Sequence, residues 1–148
     1  MARTNGDEKS WLGLLEGRYV EGVGFPHRPG GGFRPDATCG AILALEAAGS
    51  TSGLADKARR LLAKVQSDDG RICLTPQDPD AYWPTPLAAL AWHGAPEFDE
   101  PCHRAIRFLL EADLVGVLDG PQIGESHDVT IEGWPWTVKA RPSQSQHS

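Results

Sequence analysis

The residues of this chain best suited to act on another molecule are aromatic. Tyr82, Trp83, Trp92, Trp134 and Trp136 gather near the ends of two apolar stretches. Aromatic faces stabilise cations, carbocations included, although Trp and Tyr are also ordinary packing anchors with a polar tip. Asp78-Pro79-Asp80 sets two carboxylates close together, as acid–base chemistry needs, but with Pro76 beside them they read first as a solvated loop. Asp68-Asp69-Gly70 reads as a turn. Gly30-Gly31-Gly32-Phe33-Arg34, with His27 and Arg28, could offer backbone N–H groups and positive charge to a diphosphate ahead of a helix. It lacks the Lys-Ser/Thr ending of a phosphate loop, and a flexible connection explains it as well. His93, just before Gly94, reads as a cation at a helix C-terminus. None of these residues is assigned a catalytic role.

The elements that must position them come from a repeat. The stretch Asp80 to Gly94 predicts a helix capped by Thr85, with Pro86 as first residue and Gly94 just past its end. Shifted back by 47 positions, Thr85 falls on Thr38, Ala88 on Ala41, Leu90 on Leu43 and Ala91 on Ala44. Downstream, Ala105 falls on Ala58, Phe108 on Leu61 and Leu109 on Leu62. The first copy predicts a helix from a cap at Asp36 to about Ala48, stopped by Gly49. It is apolar on every side, as is Pro86 to Trp92, and such a helix is expected to be buried all round. The helices that follow are one-sided. Residues 52–66 carry the stripe Leu54, Ala58, Leu61, Leu62 and Val65, with Lys57, Arg59, Arg60 and Lys64 off it. Residues 99–112 carry Ile106, Leu109 and Leu110, extended by Cys102 and Ala105, opposite Arg104, Arg107 and Glu111. Buried inner helix and amphipathic outer helix, twice over, is the pattern of stacked helical hairpins. Residues 7–16 predict a further short helix, an outer helix of an incomplete unit or an N-terminal lid. Gly17 to Pro35 holds six Gly and three Pro, too many for a regular element. Val129–Ile131 reads as a short extended piece, and residues 138–148 as a disordered tail.

The totals fit one domain. The 148 residues carry a net charge of −6, which argues against a general nucleic-acid surface. No apolar run approaches the 18 residues of a membrane span, and the N-terminus lacks the apolar core of a signal peptide. Three cysteines, Cys39, Cys73 and Cys102, stand at no metal spacing and read as reduced thiols of a cytoplasmic protein.

Pro35-Asp36-Ala37-Thr38, Tyr82-Trp83-Pro84-Thr85, Leu61-Leu62-Ala63-Lys64-Val65-Gln66 and the Asp69-Gly70 turn resemble the repeats shared by squalene and hopene cyclases and protein prenyltransferase β subunits. The similarity covers about residues 11–137 and is clearest from Gly31 to Leu110. It implies an all-α fold, a partial α/α toroid over residues 7–137 with inner helices around a cavity. It also implies an apolar isoprenoid-like ligand, bound by Asp36, Tyr82, Trp83, Trp92, Trp134 and Trp136. Gly133-Trp134-Pro135-Trp136-Thr137 is similar to the lead-in of another inner helix, which here gives way to a polar tail. The expected chain is therefore a truncated or frameshifted member, or one that forms a homodimer completing the arc. The cyclases' Asp-x-Asp-Asp acid is missing. Asp36, Cys39, Cys102 and His103 come nearest to the prenyltransferases' Asp, Cys and His zinc ligands, each with a simpler explanation, so no metal or cofactor is expected. The alternative expectation is a non-catalytic helical-repeat binding module or an inactive fragment.

Overall fold

A computed structural model of the chain describes residues 5–78 and 81–111. Five α-helices occur there: α1 (Asn5–Glu16), α2 (Pro35–Ala47), α3 (Leu54–Val65), α4 (Pro84–Trp92) and α5 (Asp99–Glu111). A 3₁₀ turn, Pro96–Phe98, leads into α5. No strand forms among the described residues, only the isolated bridges Val20–Gly24 and Thr75–Asp78. Trp134, Trp136, Val129–Ile131 and the 138–148 tail lie outside the described residues.

Both predicted helix pairs form, with ends that differ from expectation for identifiable reasons. Pro35 is the first residue of α2, where its missing N–H costs nothing. Asp36 is therefore not the cap. It sits inside the first turn, where the helix dipole favours a carboxylate, and receives Arg34 Nε at 2.9 Å and Nη2 at 3.0 Å. At the other end Ser50 N–H reaches Leu45 O and Gly49 N–H reaches Glu46 O, both at 2.9 Å. With Gly49 at φ 65° this is a Schellman ending. In α4 the helix begins at Pro84, so Thr85 is not a cap either. Its hydroxyl is engaged by a distant loop.

α2 packs against both α3 and α4, α4 packs against α5, and α1 rests on α2. The two apolar helices are thus neighbours, each flanked by the amphipathic helix that follows it. Ile42, Leu45, Leu62, Ile72 and Trp92 are fully buried at these contacts. Ala41, Ala58, Ala88, Ala91 and Ala105 pack among them, and such small side chains let helix axes come close.

Burial corrects the sequence pattern in three places. The apolar helices are not covered all round: Gly40 and Ala44 of α2 and Leu90 of α4 are exposed. The stripe of α5 is partly bare, with Ile106 39% and Leu110 75% exposed, and Val65 of α3 is 46% exposed. Arg59, placed off the α3 stripe by its charge, is 3% exposed.

Candidate functional site

The most specific polar structure in the molecule is built twice. Thr38, in the first turns of α2, is fully buried; its Oγ1 accepts the N–H of Phe25 at 3.4 Å and donates to Phe25 O at 3.5 Å. Thr85, in the first turn of α4, is equally buried and does the same to Ile72, at 2.9 Å and 3.3 Å. Each hydroxyl closes a loop of 13 residues. Both halves of the pair are related by the same 47-residue shift, Phe25 to Ile72 and Thr38 to Thr85. The tight turns ahead of them match as well: Val20 N–H bonds Gly24 O at 2.9 Å, and Ser67 N–H bonds Arg71 O at 3.0 Å.

Glycine is required where these turns approach the helices. Gly24 has φ 81°, and a Cβ there would stand 3.2 Å from Thr38 Oγ1 and 3.3 Å from Leu61 Cδ1. Gly70, at φ 96°, lies on the backbone of α5, where a Cβ would meet Arg104 C at 2.6 Å. The Gly-rich stretch before α2 is thus partly a built turn.

Arg59 is the second buried polar centre. Its Nε donates to Ala91 O at 2.6 Å and its Nη1 to Asp56 at 2.9 Å, while Nη2 pairs with Glu46. The Trp92 indole N–H returns a bond to Arg59 O at 3.3 Å, and the guanidinium lies 6.0 Å from the Phe98 ring centre. One side chain thereby ties α2, α3 and the C-terminus of α4 together. Its charge hid it from a sequence reading. The only available signal was its position, one residue after Ala58.

The residues expected to bind a ligand fall in separate places. Asp36 is held by Arg34: burial works to raise its pKa, but the guanidinium's hydrogen bonds and charge, with backbone N–H groups, bring it below the usual carboxylate range. Tyr82 is 1% exposed, edge-on to Phe108 at 5.2 Å, and burial raises its pKa. Trp83 is half-buried beside it in sequence, ahead of α4. Trp92 is fully buried at the far end of α4, about 15 Å along the helix from Tyr82. Trp134 and Trp136 lie outside the described residues, as does Asp80.

The remaining candidates are also accounted for. Cys39 is fully buried, and burial, with the Asp36 charge, pushes its thiol up to about 12. Cys102 donates its S–H to Ala89 O at 3.4 Å, and burial raises its pKa. His103 is exposed on α5. Among the described residues no three of His, Cys, Asp and Glu converge as metal ligands. Gly31 N–H is bonded to Arg28 O at 2.9 Å and Arg34 to Asp36, which removes both from an anion site.

A shallow apolar groove of about 300 Å³ runs between α4 and α5. Pro86, Ala89 and Leu90 form one wall, Cys102, Ile106 and Leu109 the other, and His93 stands at the α4 end. No helix among the described residues is long and apolar enough to cross a membrane. No family model, curated protein or solved structure matches the chain.

Proposed function

We propose that the chain is a helical-repeat module of the prenyltransferase and squalene-cyclase type, an arc of an α/α toroid, which works by binding and packing and not by catalysis at its described residues. The observation that carries this reading is the Thr latch, repeated with its partner at one 47-residue shift. Two hairpins entered through the same turn stack in the same register, as repeat architectures require. The groups chemistry would need are spent on structure. Asp36 is paired with Arg34, the Trp92 indole N–H is bonded to Arg59 O, and the Cys39 thiol stays protonated.

One observation favours a second reading, in which an apolar isoprenoid-like ligand is held. The α4–α5 groove is apolar and reaches the lower end of ligand-pocket sizes, about 300 Å³. Titration with farnesyl diphosphate or a squalene analogue at matched detergent, followed by tryptophan emission, separates the two. The module reading expects no saturable change. A saturable change that disappears in Leu90→Glu establishes the second reading.

A further inference from the structure

The α4–α5 groove has a covered counterpart in the first unit. Shifted back by 47, Ala89 becomes Ile42, Leu90 becomes Leu43, His93 becomes Glu46 and Ile106 becomes Arg59. There, α4 lies over the α2 surface, and Arg59 grips Ala91 O at its end. In the second unit Leu90 is 56%, Ile106 39% and Leu110 75% exposed. The face is of the kind that takes another segment, and its occupant differs in chemistry. An arginine that would hold a helix C-terminus is replaced by isoleucine, so a second copy of α4 would leave its final carbonyl facing an apolar side chain.

The chain supplies a segment that fits. Leu109 lines the groove and Glu111 ends the described part of α5, so the remaining 37 residues, 112 to 148, start three positions from Leu109. They hold two apolar stretches, Leu114–Leu118 and Val129–Val138, and the second carries both tryptophans, Trp134 and Trp136, with Ile131, and is followed by a polar end. Asp69-Gly70 begins 16 residues before Thr85, and Asp119-Gly120 begins 18 before Thr137. The stretch therefore stands where the head of another inner helix would, the kind of segment that covers the first groove. We propose that residues 129–138 of the same chain seat in the α4–α5 groove, with Trp134 and Trp136 as anchors.

Tethering decides between this segment and a second molecule. From Glu111 to Trp134 is 23 residues, and a linker of that length spans about 26 Å even without structure of its own. Such a tether gives an effective concentration of roughly millimolar. A second copy at micromolar concentration competes at a disadvantage of about a thousandfold. The inference uses the repeat register but not the toroid assignment, so a negative ligand titration leaves it standing.

The test places p-benzoylphenylalanine at Trp136 in the full chain and irradiates an equal mixture of ¹⁴N- and ¹⁵N-labelled protein. Mass spectrometry is expected to find adducts with residues 86–93 or 102–109 of the same isotopic copy. Leu90→Glu is expected to cut their yield at least about fivefold with helical content unchanged. Should Leu90→Glu fail to fold, Ile106→Glu, on the opposite wall of the groove, is expected to give the same loss. Adducts joining the two isotopic forms would assign the groove to a second copy and overturn the proposal. So would adducts that avoid α4 and α5, or a yield indifferent to the groove charge.

Discussion

Replacing Thr85 by Val removes one oxygen and keeps the shape, so the cost of the latch can be read without a cavity. The hydroxyl accepts Ile72 N–H at 2.9 Å and donates to Ile72 O at 3.3 Å, with both residues fully buried. The variant leaves a backbone donor and acceptor without these partners. Each unmet buried group costs about 1–3 kcal/mol. The carbonyl, with its longer bond and second lone pair, belongs at the low end, so about 2–4 kcal/mol is expected in all. Thr38 makes the same pair of bonds at 3.4 and 3.5 Å, and Thr38→Val should cost less, about 1–2 kcal/mol. Thr85→Ser keeps the oxygen and should recover most of the loss, while Thr51→Val, at an exposed site, should change stability by less than about 0.5 kcal/mol. Urea unfolding followed by far-UV circular dichroism measures all four. With a slope of about 1.5 kcal/mol/M, Thr85→Val should lower the midpoint by more than about 1 M. A loss under about 0.5 kcal/mol at Thr85, or a larger loss at Thr38, would refute the reasoning.

Other perturbations probe the remaining polar centres. Gly70→Ala should cost more than about 3 kcal/mol, because a left-handed backbone and collision with Arg104 add; Gly49→Ala, equally left-handed but with open space around it, should cost about 1–2 kcal/mol by the same urea assay. Arg59→Met should destabilise by about 2 kcal/mol, less than a fully buried pair because Glu46 and Asp56 are 43% and 52% exposed and stay hydrated. Arg59→Lys should lose nearly as much, since one ammonium cannot replace a fork reaching three acceptors. In native protein at pH 8, Cys39 should resist a thiol reagent that modifies Cys73, because burial keeps Cys39 protonated to about 12; equal rates would contradict its placement. Asp36→Asn should lower stability near neutrality and converge on the parent in acid. A carboxyl held below its unfolded value of 3.8 contributes fully above that pH and loses its contribution as pH falls through the folded value.

The helices were legible because their signals are local. Apolar periodicity locates α2 to α5 within a few residues, and Gly49 and Gly94 mark the ends of α2 and α4. The neighbourhood of α2 and α4 was legible because repetition at one offset implies stacking. The caps were not: Thr before a Pro is a common helix start and points to Thr85 as a cap, and only the fold shows Ile72 competing for the same hydroxyl. Phe25 and Ile72 carry the 47-residue relation in the sequence, but a search limited to helical residues passes over them. Arg59 was illegible for a different reason. Its burial depends on Glu46, Asp56 and Ala91 O arriving from three directions, and no single segment contains that information. The ligand set, Asp36 with the aromatics near the inner-helix ends, follows from the resemblance, whereas Tyr82 precedes α4 and Trp92 stands at its far end.

What specifies the stacking is therefore carried by the turns more than by the helices. The inner helices are rich in Ala and Leu, residues that pack acceptably in several registers. A hydroxyl fixed to one particular backbone amide is less tolerant: sliding α4 by one residue would carry Thr85 off Ile72 and put Pro84 or Pro86, neither with a hydroxyl, in its place. Gly70 adds a steric stop, since the lead-in can rest on α5 only where no side chain intervenes. The latch acts in the first turns of each inner helix, so each hairpin is registered on its own lead-in as well as on its neighbour. A unit so built can present an apolar face, as α4 and α5 do, without losing its own register.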